Sequence, residues 1–204
     1  MRRKADTLAR YYESIGLKTT KEMKRVPYDN MGATVIDAIL QSGMSYQSVV
    51  LPRVRMFLDN YSHYRTTCDF LILMNTIPLK KLIDWSNKEK LWRIFSLSWF
   101  LYNHDIQTEK DLGNWIIDSD NRQKMMQLSG VGKKTVDYLM SLIGIESVVA
   151  IDRHLLKFLK CAGIDCTSYD EAKQIYVDAS SILGISPYQI DKQVWRYMSN
   201  TLVL

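Results

Sequence analysis

The chain has 204 residues, of which 47% are hydrophobic and 24% charged, a composition that excludes a disordered protein and favours a globular one. The formal net charge of +5 permits an acidic partner but does not establish one. No uncharged apolar stretch reaches the length of a membrane span, and the polar start is unlike a secretory signal. Three cysteines provide no disulfide framework, so we expect an intracellular protein, in the cytoplasm or nucleoid, or in the nucleus of a eukaryote.

Amphipathic patterns predict helices from the first residues onward, and strand signals are few. Residues 1–25 predict one helix with a break near Gly16. The apolar run 34–40 predicts a buried helix, and residues 46–62 predict an amphipathic helix with Pro52 in its first turn. Between these two helices lies a polar loop.

The middle of the chain continues the helical pattern. Short helices are predicted over residues 66–76 and 78–84, and Thr108 is a good N-cap for a helix over 108–117. Three tryptophans recur every seven residues, at Trp85, Trp92 and Trp99, and this spacing keeps them on one helix face. Such a stripe is compatible with base stacking, but it favours packing in the core, which we predict here.

Two short helices joined by a tight turn come next, over residues 121–127 and 133–143. Ser119 or Asp120 is the expected N-cap of the first helix, and Gly144 is the expected stop of the second.

The turn itself has the sequence Gly130-Val131-Gly132, followed by Lys133 and Lys134. Gly-x-Gly suits a positive φ angle and a close approach of another molecule to the backbone. A helix start presents backbone N–H groups and the positive end of the helix dipole, so this turn suits a phosphate. An ordinary turn between two packed helices has the same spacing, and that alternative stays open.

A short apolar run, residues 147–151, leads into Asp152-Arg153-His154 at the start of another helix. The remaining predicted helices cover residues 153–160, 168–183 and 187–197. Ser168 and Glu171 have the spacing of a capping box.

A Gly-Val-Gly turn, a lysine at the next helix start and an aspartate about eighteen residues later form a specific order. This order resembles the helix-hairpin-helix superfamily of DNA glycosylases, which includes endonuclease III and the 8-oxoguanine glycosylases. The family pattern is Leu-Pro-Gly-Val-Gly-x-Lys-Thr followed by an apolar stretch that ends in Val-Asp-x-His. Ser129 stands where the family has proline. The resemblance covers most of the chain in length and order, and it is specific between Leu128 and His154.

The resemblance implies an all-α fold of two helical domains, with a DNA cleft between them. Residues 30–146 would form a six-helix barrel-like domain that contains the helix-hairpin-helix motif, and residues 1–29 plus 147–204 would form the second domain. The implied substrate is double-stranded DNA that contains a damaged, oxidised base, and we expect a monomer. The sequence does not identify the lesion.

The resemblance also assigns roles to residues. Lys134 matches the family's nucleophile, which attacks the sugar C1′ atom to form a Schiff base, and Asp152 matches its carboxylate. The expected DNA-binding residues are Gly130, Val131, Gly132, Lys133, Thr135 and Arg153. The expected residues of the base pocket are Gln41, Tyr138 and Ser141.

Helical geometry gives an independent check on Lys134. At about 100° per residue, Lys134 points away from the apolar stripe of its own helix, beside Tyr138 and Ser141. A lysine on a solvated face has the same orientation. Asp152 is also a favoured N-cap, and both roles are compatible because one oxygen caps while the other faces the sugar.

The expected cofactors are few. Some family members carry a four-cysteine iron–sulfur cluster near the C-terminus, but no cysteine follows Cys166, so we expect no cluster. No metal-ligand spacing is present, and a monovalent cation at the turn is an expectation from the family alone. Two alternatives stay open: a DNA-binding protein without enzymatic activity, and a glycosylase without lyase activity, which Lys134 disfavours.

Overall fold

The computed structural model describes residues 2–17 and 24–201. Across these residues the chain forms α-helices and one π-helical turn without any strand, so the all-α prediction is confirmed. None of the described helices is long and apolar enough to cross a membrane. The helices are α1 (Arg2–Ser14), α2 (Met31–Leu40), α3 (Leu51–Tyr61), α4 (Thr67–Thr76), α5 (Leu79–Leu82), α6 (Lys88–Asn103), α7 (Glu109–Ile116), α8 (Ser119–Met126), α9 (Lys133–Leu142), α10 (Arg153–Cys161), α11 (Tyr169–Leu183) and α12 (Pro187–Thr201).

One compact unit consists of residues Val26–Ile143. Its helix α2 is buried along its whole length and packs against α3, α4, α6 and α9. Gly32 permits this packing, because a Cβ atom there would lie 2.8 Å from the ring of Phe57. Asn30 begins the helix by accepting a hydrogen bond from the backbone of Ala33 at 3.0 Å. The predicted buried helix is therefore confirmed and starts three residues earlier than expected.

The segment after α2 differs from the single helix predicted over residues 46–62. A π-helical turn, Tyr46–Val50, comes first, and α3 then starts at Leu51 with Pro52 in its first turn, as predicted. Proline at this position costs no hydrogen bond, because the first N–H groups of a helix have no partner within it.

The tryptophan stripe contradicts the prediction that it lies in the core. Trp92 and Trp99 lie on α6 with 61% and 49% of their surface exposed, whereas Ile94, Leu97 and Leu101 form the buried side of that helix. A seven-residue repeat places residues on one face of a helix, but it does not determine which face is buried.

The other compact unit consists of Met1–Arg25 and Gly144–Leu204. Its core joins the apolar side of α1 to α10, α11 and α12. Lys4 on α1 also forms a salt bridge of 2.6 Å with Glu171 on α11. The division expected from the sequence, into residues 30–146 and residues 1–29 plus 147–204, stays a prediction.

Several predicted helix ends are confirmed and others are wrong. Thr108 caps α7, with Asp111 completing a capping box. The N-cap of α8 is Asp118 instead of Ser119 or Asp120.

At the start of α11, Ser168 accepts from the Glu171 backbone as expected, but the carboxylate of Glu171 binds Thr167 and Lys4, so no capping box forms. The predicted first helix ends at Ser14, and residues 18–23 of that prediction lie outside the described residues.

Candidate functional site

The connection between α8 and α9 is a tight turn at residues 127–132. Gly130 has a φ of 78°, as the Gly-x-Gly spacing predicts, and the Val131 backbone donates to the Leu128 carbonyl at 3.0 Å. Val131 itself is buried and anchors the turn to the core of the unit Val26–Ile143. The turn can therefore offer another molecule the backbone at Gly130 and Gly132, together with the exposed side chains of Gln127 and Ser129.

Helix α9 begins at this turn without a side-chain cap. Its N-cap is Gly132, whose φ of −107° is ordinary, and a Cβ atom added there would meet nothing within 4 Å. The space over the helix start is open, and Lys133 beside it is exposed. Thr135 is buried, so its side chain faces the interior rather than a bound molecule.

A basic residue from another helix reaches the turn. A Cβ atom on Gly130 would overlap the guanidinium of Arg93 on α6. Arg93 forms a salt bridge with Glu89, and its Nε atom is buried with no hydrogen-bond partner among the described residues. Gly130 therefore serves two needs, its positive φ and the space for Arg93. Sequence reasoning missed Arg93, because a contact between residues this far apart leaves no local pattern.

Lys134 is half-buried on α9, and its Nζ atom donates to Oε1 of Gln41 at 2.9 Å. Gln41 is the C-cap of α2, so this contact joins the start of one helix to the end of another. The Nε2 atom of Gln41 is buried and has no partner among the described residues, which leaves a donor for a bound molecule.

A second contact lies one turn away on both helices. Tyr138 donates to Oδ1 of the fully buried Asp37 at 3.0 Å, and Tyr28 donates to its Oδ2 at 2.7 Å. The pairs Asp37–Tyr138 and Gln41–Lys134 thus form two side-chain hydrogen bonds between α2 and α9, one helical turn apart. Asp37 was missed from the sequence, although a carboxylate in an otherwise apolar helix is a signal for a buried polar network.

Lys90 on α6 contacts the end of α2. It is 7% exposed, and its Nζ atom donates to the carbonyls of Ile39 and Ser42 at 2.7 and 2.8 Å. Burial, which is the largest cause, and the positive charges of Arg93 and Lys134 together lower the pKa of Lys90 to about 8, although the negative charge of Glu89 opposes them. Lys90 and Lys134 therefore hold the same short segment, residues 39–42, from two sides.

Asp152 lies in the other unit, at the start of α10. Its Oδ1 atom accepts from the backbones of His154 and Leu155 at 2.8 and 3.0 Å, which makes it the N-cap. No donor to its Oδ2 atom is present among the described residues, so the second oxygen is available as the sequence argument requires. Arg153 is exposed. His154 is buried, and its Nδ1 atom has no partner in the described part of the chain.

Of the predicted pocket residues, the structure brings Gln41 and Tyr138 to the surroundings of Lys134. Ser141 is buried, so it is not exposed to a bound molecule. No group of three or more His, Cys, Asp or Glu residues within the described ranges could hold a metal ion. The groups around Lys134 are the amide of Gln41, the hydroxyl of Tyr138 and, one turn further, the carboxylate of Asp37.

A family model described as a domain of unknown function, DUF8548, matches residues 93–199. The chain belongs to this family. The matched segment includes Arg93, the α8–α9 turn, Lys134 and Asp152, so most of the candidate site lies within the DUF8548 region, while Gln41 and Asp37 lie before it.

Curated relatives give a distant similarity. The 8-oxoguanine DNA glycosylase/AP lyase of Saccharolobus islandicus strain L.S.2.15 is 29% identical over 100 residues, and that of strain Y.N.15.51 is 27% identical over the same length. Each match covers 43% of this chain and 48% of the relative, so the chain spans about half the length of the relatives it matches. No solved structure gives a significant match.

Proposed function

We propose that this protein is a DNA glycosylase with AP lyase activity that excises an oxidised base from double-stranded DNA. The observation that carries the proposal is the position of Lys134, which lies in the first turn of a helix without a side-chain cap and donates to Gln41. The similarity to relatives named 8-oxoguanine DNA glycosylase/AP lyase supports this chemistry, and it makes 8-oxoguanine the first lesion to test.

The proposed reaction begins with the neutral amine of Lys134. Its lone pair attacks C1′ as the glycosidic bond breaks, and the base leaves with the bonding electrons and takes up a proton. Opening of the sugar then gives a Schiff base, and loss of a C2′ proton expels the 3′ phosphate. Gln41 suits this step, because its Oε1 accepts from Lys134 and so orients the amine, while its Nε2 is available to a base.

Asp152 would supply the negative charge that an oxocarbenium-like transition state requires. Its Oδ1 atom is fixed by two backbone N–H groups, and its Oδ2 atom accepts from no described residue. A carboxylate held in this way does not need to reorganise when positive charge develops on the sugar.

The helix start at Gly132 would hold a DNA phosphate. The phosphate would occupy the open space over Gly132 and accept hydrogen bonds from the backbone N–H groups of the α9 start. The positive charges of Lys133 and Arg93 would add attraction. Because such contacts release counterions, we expect affinity for duplex DNA to fall steeply as salt concentration rises.

The test is borohydride trapping on a panel of duplexes, each with one defined lesion. We expect the parent protein to form a covalent protein–DNA adduct with at least one oxidised base, observed as a band of reduced mobility in a denaturing gel. Lys134→Gln should abolish both the adduct and strand cleavage, because the amide that replaces the amine cannot form a Schiff base.

Lys133→Gln is the matched control, since it removes the adjacent lysine from the exposed side of the same helix turn. This variant should keep the adduct and bind duplex DNA more weakly. An adduct that persists in Lys134→Gln and disappears in Lys133→Gln would assign the nucleophile to Lys133. Base release without any adduct in the parent protein would indicate a glycosylase without lyase activity.

A DNA-binding protein without enzymatic activity is the second candidate, and the uncapped helix start beside Arg93 favours it. A phosphate grip needs neither Lys134 nor Asp152. Salt-dependent duplex binding in which no lesion of the panel yields an adduct or a released base would support this candidate and refute the enzymatic proposal.

A further inference from the structure

Helix α6 presents an exposed aromatic face, defined here as Lys88, Trp92, Phe95, Trp99 and Tyr102. Its four aromatic side chains are between 38% and 61% exposed. At about 1.5 Å per residue the face is about 21 Å long. A contiguous exposed apolar surface of a few hundred Å² is often an interaction site.

The rings of the aromatic face lie side by side along α6. The centroids of Phe95 and Trp99 lie 6.3 Å apart at an interplanar angle of 11°, and those of Trp99 and Tyr102 lie 5.7 Å apart at 27°. Surfaces that bind single-stranded nucleic acid combine stacking rings with a positively charged groove. Lys88 is the one positive charge of the aromatic face, so this face favours an apolar protein surface over a nucleic acid.

A shallow groove of about 370 Å³ runs beside the aromatic face. Met74, Leu79 and Leu91 supply its apolar wall together with Trp92 and Phe95. Exposed Ile72 lies one turn before Asn75, which also lines the groove, so α4 extends the same surface. The groove is large enough to accept a ring that projects from an opposing surface.

The order of residues on the aromatic face is close to symmetric. Trp92 precedes Phe95 by three residues and Trp99 follows it by four, so a two-fold axis near Phe95 would place Trp92 opposite Trp99 of the partner subunit. We propose that a second copy of this chain covers the face, with the two α6 helices antiparallel across a two-fold axis. The sequence led us to expect a monomer, and this inference replaces that expectation.

The charges of the aromatic face fit antiparallel pairing. Lys88 is its only charged residue and lies at one end, so the two-fold axis separates the lysines of the two copies by roughly 20 Å. The same axis brings Lys88 beside Tyr102 of the partner subunit, where an ammonium group over a ring is favourable. A parallel arrangement would place the two lysines side by side.

The available area suits a dimer of modest size. Half of each aromatic side chain, at roughly 200 Å² per ring, gives about 400 Å² per copy. The groove and Ile72 add to this, toward the roughly 600–800 Å² per partner of a specific interface. Tryptophan and tyrosine at the centre of such a patch are the residue types that contribute most to binding. We therefore expect a dimer that dissociates on dilution.

The proposed interface is separate from the proposed DNA-binding turn. Arg93, which contacts the turn at Gly130, lies about 140° around α6 from Lys88. Loss of the dimer and loss of base excision are therefore independent outcomes.

Sedimentation equilibrium of the parent chain at increasing concentrations tests the inference. We expect the mass to rise from 23.8 kDa toward twice that value. Trp99→Glu and Phe95→Glu should each hold the mass at that of one chain, because a carboxylate would be buried in the interface. Ile182→Glu is the matched control, since Ile182 is 50% exposed on α11, and it should dimerise as the parent does. Far-ultraviolet circular dichroism should show equal helicity in all variants.

Two results would overturn the inference. One is a parent chain that stays monomeric at every concentration; a blue shift of its tryptophan emission with phosphatidylcholine vesicles or with single-stranded oligothymidylate would then identify a lipid or nucleic acid occupant instead. The other is a dimer that persists in both Trp99→Glu and Phe95→Glu, which would place the interface elsewhere.

Discussion

Two helix starts that follow each other closely in the chain are built in opposite ways. Helix α9 begins at Gly132, where no side chain caps it and the space above is open. Helix α10 begins at Asp152, whose carboxylate accepts two backbone hydrogen bonds of its own helix. The first start suits an anion from outside, whereas the second already contains one.

In the proposed function, this difference separates phosphate binding from chemistry. A helix start that supplies its own carboxylate is closed to phosphate, and its remaining oxygen is held in place for another task. A helix start that lacks a cap costs stability, and a bound phosphate would recover that stability. Variants at Asp152, Lys90, Gly132 and Gly130 can break or sharpen this contrast.

Replacing Asp152 by Asn should slow base release on the order of a hundredfold or more, because the charge that stabilises the transition state is lost. Asn caps a helix about as well as Asp, so the free energy of unfolding should hardly change. Single-turnover base release and urea unfolding measure the two quantities. Asp152→Ala is the contrast, with about 1 kcal/mol of stability lost in addition. Full activity in Asp152→Asn would show that Asp152 acts only as a helix cap.

Lys90 should give the protein a pH-dependent stability that Lys90→Met lacks. Its folded pKa of about 8 lies below the unfolded value of 10.5, so the unfolded chain binds more protons between these values. Its stability contribution is therefore complete above about pH 10.5 and is lost as the pH falls through about 8. Relative to the variant, the parent should gain about 2 kcal/mol between about pH 7.5 and about pH 10.

Urea unfolding of both proteins across that pH range measures the effect. Lys157→Met, at an exposed position on α10, is the matched control and should follow the parent. Equal pH dependence of the parent and Lys90→Met would show that the pKa of Lys90 is not lowered in the folded protein.

Gly132→Ser should convert the start of α9 into a capped one. The serine oxygen would accept a backbone N–H, so stability should rise by a few tenths of a kcal/mol, while affinity for undamaged duplex DNA should fall. Thermal unfolding and fluorescence anisotropy measure the two changes. Gly130→Ala should instead lower both quantities, because its φ of 78° and the Arg93 side chain exclude a Cβ atom. Unchanged DNA affinity in Gly132→Ser would show that this helix start does not bind a DNA phosphate.

The sequence predicted the local features of this molecule well. Apolar periodicity located most helices, and side-chain chemistry located the cap at Thr108 and the positive φ at Gly130. These features depend on residues within a few positions of each other, so the sequence contains all the information they need.

The features that sequence reasoning missed depend on contacts between distant residues. Arg93 meets Gly130, and Lys90 meets the end of α2, only because α6 packs where it does. Asp37 could have been singled out as the one carboxylate of an apolar helix, but its partners Tyr28 and Tyr138 could not. The exposed side of α6 was misjudged for the same reason, since burial depends on which neighbours reach a face.

The order of the two units along the chain has a consequence for synthesis on the ribosome. Residues Val26–Ile143 emerge as one uninterrupted segment and can collapse as soon as α9 is complete. Helix α1 is made before that segment, yet Leu8 and Tyr12 pack in a core whose members outside α1 come after Gly144. Until residues after Gly144 have been made, the apolar side of α1 lacks the residues that cover it in the folded protein. During that time exposed apolar surface can aggregate or bind a chaperone.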